Sequence, residues 1–556
     1  MFKCLIHNHE YTDYEFVETK TFLPIDLPIK PMDVKLFLND VFDYDSNQVI
    51  VKHSNTRYNT MIPGILDLTM THGKINNKFL YLCKPDDKRI PFFLIPYRIP
   101  PKFDKSIQKL YITFKFDNWN NKRPHGIITQ NIGNIHDLQS FYEYVLYCKS
   151  LNVSIQQFTK EAKKRIQDKS NEEIIHHISE KYNIEYRSKK DYYIFTLDPK
   201  NSNDFDDALS YDKKDNKISI YITNVALILN ELELWDSFSN RISTIYLPDR
   251  KRTMLPTMLV DCLCSLKEKE NKLCYVLDLY YDENNKLIRE ELGLCKAYIR
   301  KNIDYNDATF TKDNSHFQSI CNILHIQNPK QIVSRLMLHF NHSIAKKLYK
   351  QKNGVFKTLY QETNEEIPKN LPEDVYKHIC ILKTNASNYC VYKENMKYKS
   401  FIHGDIEMYA QASSPIRRLV DLLNNIVILD IIGVTTLHDN GRDFYCKWTN
   451  EEHMEKINVS SRAIRKIQSK CQIYEQYMKH KDDKVCYEGY LFDKVYKDGD
   501  GKYQYMVYIH ELRLTTYITL TKDLDEYSSH MFSLYVFLSE ENEKKKIKLQ
   551  LHYDDF

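Results

Sequence analysis

Four aspartates stand within ten residues of chain: Asp198, Asp204, Asp206 and Asp207, in the stretch TLDPKNSNDFDDAL at residues 196–209. Carboxylates that close raise one another's pKa unless a positive charge lies among them. Mg²⁺ is one such charge, since it binds hard oxygens in near-octahedral array. Two ions about 4 Å apart can hold both the attacking water and the leaving oxygen of a phosphodiester. The same spacing also fits an acidic surface turn, and Asp204 with Asp206 makes the DxD of a nucleotide-sugar transferase, a weak pattern alone.

A second segment, YAQASSPIRRLVD at 409–421, supplies the opposite charge. Ser414 suits a helix N-cap and Pro415 the first helical position, so a helix is expected to start there. That would put Arg417 and Arg418 in the first turn, where the helix dipole prefers anions. A phosphate bound by free backbone N–H groups and guanidinium would relieve the conflict. Arginines reaching acidic neighbours such as Asp421 would relieve it equally well.

These residues need a frame. The strand-like runs YYIFTL and ISIYI flank the acidic loop, and helix-like LMLHFNHSIAKKLYK and SPIRRLVDLLNNIVILDII follow, which predicts a large α+β domain. Before it, residues 33–100 offer short β-type runs (VKLFL, QVIVKH, GILDLTM, KFLYLC, IPFFLIPY), and a second set contains YITFKFDNW and HGIITQNIG. Charge-mixed sequence from Ser154 to Lys190 reads as solvated helices or a linker. After His480 five alternating runs predict a terminal barrel, with the DGDG at 498–501 as a hairpin turn rather than a calcium loop. The run ENEKKKIK reads as a solvated edge.

Composition narrows the class. The chain has 556 residues, 42% hydrophobic and 28% charged, as expected for several folded domains. A net charge of +4 means that a polyanion would meet a local basic channel, not a basic surface. Thirteen cysteines without a CxxC pair or zinc spacing suggest reduced thiols. With no signal-peptide pattern and no long apolar run, an intracellular, cytoplasmic protein with no membrane partner is expected. Only 12 glycines and no GxxxxGK[ST] loop argue against nucleoside triphosphate hydrolysis.

Together, TLDPKNSNDFDDAL and SSPIRR resemble the signature segments of the RNase II / RNase R / Dis3 family, the RNB exoribonucleases. Further likeness lies in RISTIYLPDRKRTMLP, LCSL, IDYNDA, RLMLHFNHSIA and RAIRKIQ, so that it covers residues 191 to about 475. The resemblance implies a multidomain protein: an α+β RNB catalytic domain flanked by OB-fold β-barrels, cold-shock-like at the amino end and S1-like at the carboxy end. The expected boundaries are a first cold-shock domain at 1–100, a second at 101–155, a helical linker at 156–190, the RNB domain at 191–480 and the S1-like domain at 481–556.

The resemblance further implies Mg²⁺-dependent, processive 3′→5′ hydrolysis of single-stranded RNA to nucleoside 5′-monophosphates, by a monomer, using one or two ions for which Mn²⁺ can substitute. By motif position Asp198, Asp204, Asp206 and Asp207 would hold metal, and chemistry would depend most on Asp206. Arg417 would lie against the scissile phosphate, Arg418 would hold the adjacent one, and Tyr246 and Tyr305 would stack on or clamp nucleotides. The sequence departs from the family at Asn224, Gln411, Leu419, Asn425 and Ile426. Those departures motivate the alternative, a catalytically inactive RNB-like RNA-binding protein. His339 and His342, spaced for metal binding on a helix, are expected to be ordinary histidines instead. No amino-terminal nuclease module of the larger Dis3 type is expected, and hence no endonuclease activity.

Overall fold

A computed structural model of the protein describes all residues except 47, 101–106, 361–366, 369, 384, 395–407, 435–436, 480–484, 498, 500, 539–544 and 553–556. The chain forms two compact units, one of residues 1–152, 247–249 and 466–556, the other of 153–246 and 250–465.

In the first unit, strands Phe2–Ile6, Tyr14–Glu18, Pro24–Ile25, Val41–Asp45 and Gln48–His53 make a five-stranded antiparallel sheet. A closed barrel follows, built from Ile62–Ile75, Lys78–Pro85, Phe93–Tyr97, Lys109–Asn118 and His125–Asn134. This corrects the expected boundary between residues 100 and 101, which falls inside the barrel. The β-type runs on either side of that boundary belong to strands that share one core, where Phe93 and Phe114 meet with ring centroids 4.8 Å apart. Near the carboxy end, Cys486–Lys497, Lys502–Ile509, Leu514–Leu520, Ser529–Leu538 and Lys545–His552 form the five expected strands, all antiparallel. Lys497 pairs with Lys502, the register of a hairpin, although Asp498 and Asp500 of its turn lie outside the described residues, as do residues 541–544 of the charged run.

The second unit is organised by a six-stranded sheet in the order Glu185–Arg187, Leu287–Asp304, Ile194–Asp198, Asp207–Asp212, Lys217–Thr223, Asn271–Tyr281. The last strand pairs back onto Leu287–Asp304 and closes the curl. Lys217–Thr223 is buried throughout although polar Lys217, Ser219 and Thr223 alternate with its apolar residues, and the two hydroxyls are satisfied inside, Ser219 Oγ donating to Asp278 Oδ1 at 2.6 Å and Thr223 Oγ1 to Cys264 O at 2.5 Å. The stretch expected as a linker over 156–190 belongs to this unit. Its helices Gln156–Ile166 and Asn171–Lys181 bury Phe158, Ala162 and Ile166 and Ile174, Ile175 and Ile178, each set at helical spacing, and Glu185–Arg187 edges the sheet.

The helix Leu419–Ile432 is almost entirely buried, so its polar residues need partners inside. Fully buried Asn424 accepts from Val355 N at 2.8 Å and donates to Val355 O and Gln411 O at 2.9 and 2.8 Å, tying helix, strand and the segment before the arginines together. Asn424→Ala leaves those three backbone groups without a partner, and the expected cost is about 2 kcal/mol, read as a lower urea midpoint at unchanged slope.

Candidate active site

The acidic loop is held at both ends by the sheet. Asp198 ends one strand, in register with Asp304 of its parallel neighbour, and Asp207 begins the next, opposite Ile222. Between them the chain turns so that Asp206 is 3% exposed and meets the second segment. Asp206 Oδ1 accepts from Ile416 N at 3.0 Å and Oδ2 from Arg417 Nε at 2.9 Å, across 211 residues of sequence. Arg417 also donates from Nη2 to Ser414 Oγ at 2.9 Å.

The helix expected from Pro415 begins instead at Leu419, and Ser414 does not cap it. Residues 415–417 form a turn, because the Ser414 hydroxyl is taken by Arg417 and Arg418 is drawn into a β-bridge with Ser243. The arginines therefore precede the helix and do not oppose its dipole. Its first turn carries Asp421, the favoured sign, fully buried and accepting on Oδ1 from Ser414 N and from Arg418 Nη2, both at 2.8 Å. The acidic partner considered for the arginines is thus realised at Arg418.

These groups border a cavity of about 830 Å³. All eight residues singled out from the sequence line it: the four aspartates, Tyr246, Tyr305, Arg417 and Arg418. Tyr246 is 39% exposed, and Tyr305 is anchored by its backbone N–H on Asp198 O at 2.9 Å. The four aspartates differ in setting. Asp204 Oδ1 accepts from Lys251 Nζ at 2.7 Å, whereas the charge of Asp206 acts on Asp198 and both act on Asp207.

Burial, foremost, pushes Asp206 up to about 6, with Arg417 pulling the other way. It pushes Asp198 up to about 7, opposed by a hydrogen bond with Thr196 and reinforced by Asp206. Asp207 is raised well above the carboxylate range by burial and then by Asp198 and Asp206. Among the described residues no three acidic, histidine or cysteine side chains already stand as a metal-holding group. Asp206 is turned to Ile416 and Arg417, and Asp204 to Lys251. The donor chemistry of Asp198, Asp206 and Asp207 nevertheless suits a divalent cation. Asp198 Oδ2 is buried with no hydrogen-bond partner, and the three carboxyls hold more negative charge than Arg417 offsets.

These shifts link stability to pH. An acid whose folded pKa lies above its unfolded value of about 4 favours the fold fully below that value and loses the contribution as pH rises through the folded one. Metal-free protein is therefore expected to lose thermal stability between pH 4 and 8 through Asp198 and Asp206, by at least about 3 °C. In Asp198→Asn, or with Mg²⁺ added, the loss should be smaller, as scanning calorimetry would show.

Residues 186–319 match the RNB domain, and residues 80–148 match the Dis3-like cold-shock domain 2. The chain carries an RNB domain. Ribonuclease R of Aquifex aeolicus is 30% identical over 126 residues, 22% of this chain and 18% of that protein. DIS3-like exonuclease 2 of Schizosaccharomyces pombe is 26% identical over 218 residues, 37% of this chain and 23% of that protein. The aligned segments thus span about a fifth of these relatives. Among solved structures, Mycoplasma genitalium RNase R in complex with ribose methylated single-stranded RNA shares the fold at a TM-score of 0.63 and 14% identity, covering 98% of this chain and 96% of that one. Yeast Ssd1, described as a pseudonuclease, does so at 0.59 and 14%, covering 92% and 70%. The architecture is RNase R-like, with an OB-fold cold-shock domain and an RNB domain.

One wall of the cavity holds none of the site residues expected from the sequence. It comes from the helix Pro329–Lys350, whose Val333, Ser334, Met337, Leu338 and Asn341 share a face at helical spacing. The stretch RLMLHFNHSIA contributes to the family likeness, yet no pattern in it marks a ligand wall. Of its histidines, His339 Nε2 meets Glu290 Oε1 at 2.8 Å and His342 Nδ1 meets Met408 O at 3.0 Å. None of the five departures from the family lines the cavity. Asn224 caps the helix Val225–Glu231 by accepting from Leu227 N, Asn425 donates to Ala412 O, Gln411 accepts from Tyr389 OH, and Leu419 and Ile426 are core. Among the described residues no helix is long and apolar enough to cross a membrane.

Proposed function

We propose that the protein is a Mg²⁺-dependent 3′→5′ exoribonuclease that hydrolyses single-stranded RNA processively to nucleoside 5′-monophosphates. The observation that carries this reading is the ion pair of Asp206 with Arg417, 2.9 Å apart in a cavity that also holds Asp198, Asp207, Tyr246 and Tyr305. Asp198, Asp206 and Asp207 would hold the divalent cation, which supplies Lewis acidity and an activated water when bound.

The chain's own groups do the rest. Arg417, 40% exposed on its side chain, presents guanidinium to a phosphate and stabilises charge developing on its oxygens. Arg418, fixed on Asp421, offers a second cation for the adjacent phosphate. The half-exposed ring of Tyr246 gives a base a face to stack on. Tyr305, pushed up to about 12 by burial first and by Asp207 and Asp198 next, keeps its phenol proton and can donate to an RNA oxygen.

An inactive RNA-binding protein is the second reading, favoured by the likeness in fold to the pseudonuclease Ssd1 and by the engagement of Asp204 with Lys251. Incubating labelled single-stranded RNA with the protein in Mg²⁺ or chelator separates the two. Shortening in Mg²⁺ alone supports the nuclease, whereas unchanged RNA with a mobility shift supports the binder.

A further inference from the structure

Lys251 has no part in the chemistry outlined above, yet it lines the same cavity. It sits on the short strand Lys251–Arg252, where it pairs with Tyr246, and its ammonium lies 2.7 Å from Asp204 Oδ1. The acid is the more enclosed partner, its side chain 8% exposed against 30% for the lysine, so Asp204 cannot turn freely to water or to another cation. Asp204 is thereby set apart from Asp198, Asp206 and Asp207, which line the same cavity and whose charges act on one another. A second divalent ion at Asp204 would have to displace the ammonium or sit beside it. At a few ångströms in a partly enclosed site, like charges repel strongly.

We propose that Lys251 is a built-in cation that occupies the place of a second divalent ion on Asp204, so that the cavity takes one divalent cation, held by Asp198, Asp206 and Asp207. Lys251 is then a positioning residue: it fixes the acidic loop through Asp204 and sets how many metal ions the site accepts. This inference rests on the reading of the aspartate cluster as a metal site. It differs from that reading in what it predicts for the lysine.

The test is calorimetric titration of the full chain with Mn²⁺, which needs no turnover. Wild type should bind one ion per chain in the cavity and Lys251→Met two. Lys251→Arg, which keeps the charge, should stay at one. Asp204→Asn, which removes the acid but not the three ligands, should keep one ion, with affinity lowered by about 10- to 100-fold at most, as expected for a residue that positions the loop without holding the ion. Two ions in wild type, or one ion of unchanged affinity in Lys251→Met, would overturn the role given to Lys251 while leaving the metal site standing. No ion in wild type would overturn both.

Discussion

Asp206→Asn is expected to lower Mg²⁺-dependent RNA hydrolysis by about 10³-fold or more, with the fold intact. The asparagine has the same shape, and its amide oxygen can still accept from Ile416 N, the contact that Asp206 Oδ1 makes at 3.0 Å. It cannot supply the charge that pairs with Arg417 and attracts a cation. Stability should not fall, because the substitution removes a buried carboxyl whose charge raises Asp198 and Asp207. Single-turnover rates beside thermal unfolding check both halves. A variant keeping more than a tenth of the wild-type rate would show that the chemistry does not depend on this carboxylate.

Arg417→Ala should cost about 10²-fold in kcat, with Arg417→Lys recovering part of it, as expected where charge develops on a phosphate and a point charge replaces a fork. The loss has a second signature. Arg417 holds Asp206 below the value that burial alone would impose, so without it the Asp206 carboxyl rises further. If Asp206 must be ionised, the acidic limb of the pH–rate profile moves to higher pH in Arg417→Ala and stays near its wild-type place in Arg417→Lys. An equal loss in both variants with no movement of the limb would give Arg417 a packing role instead.

The site was legible in sequence because its two halves are short and continuous. Loop and arginine segment each carry their charges within ten residues, and the fold joins them through Asp206 and Arg417. The details that failed depend on partners distant in sequence. Ser414 and Pro415 form a good helix start by local rules, but Arg417 claims the serine hydroxyl and Ser243 the backbone beside Arg418, so the helix waits until Leu419. The bond between Asp204 and Lys251 crosses 47 residues and has no motif. The expected boundary at 100/101 falls inside the barrel spanning 62–134 because short β-type runs read alike whether they share one core or two. The helical wall at 333–341 has no motif, because a largely apolar helix face with Val333, Met337 and Leu338 reads equally as core.

The most direct measurement of the central claim follows one RNA strand labelled at its 3′ end and another at its 5′ end, in Mg²⁺. If Asp206 and Arg417 serve a 3′→5′ exonuclease, the 3′ label appears as free nucleotide from the earliest times while the 5′-labelled strand is progressively shortened. If instead both labels stay on strands of full length that migrate with the protein, the cavity binds RNA without cutting it, and the account is wrong.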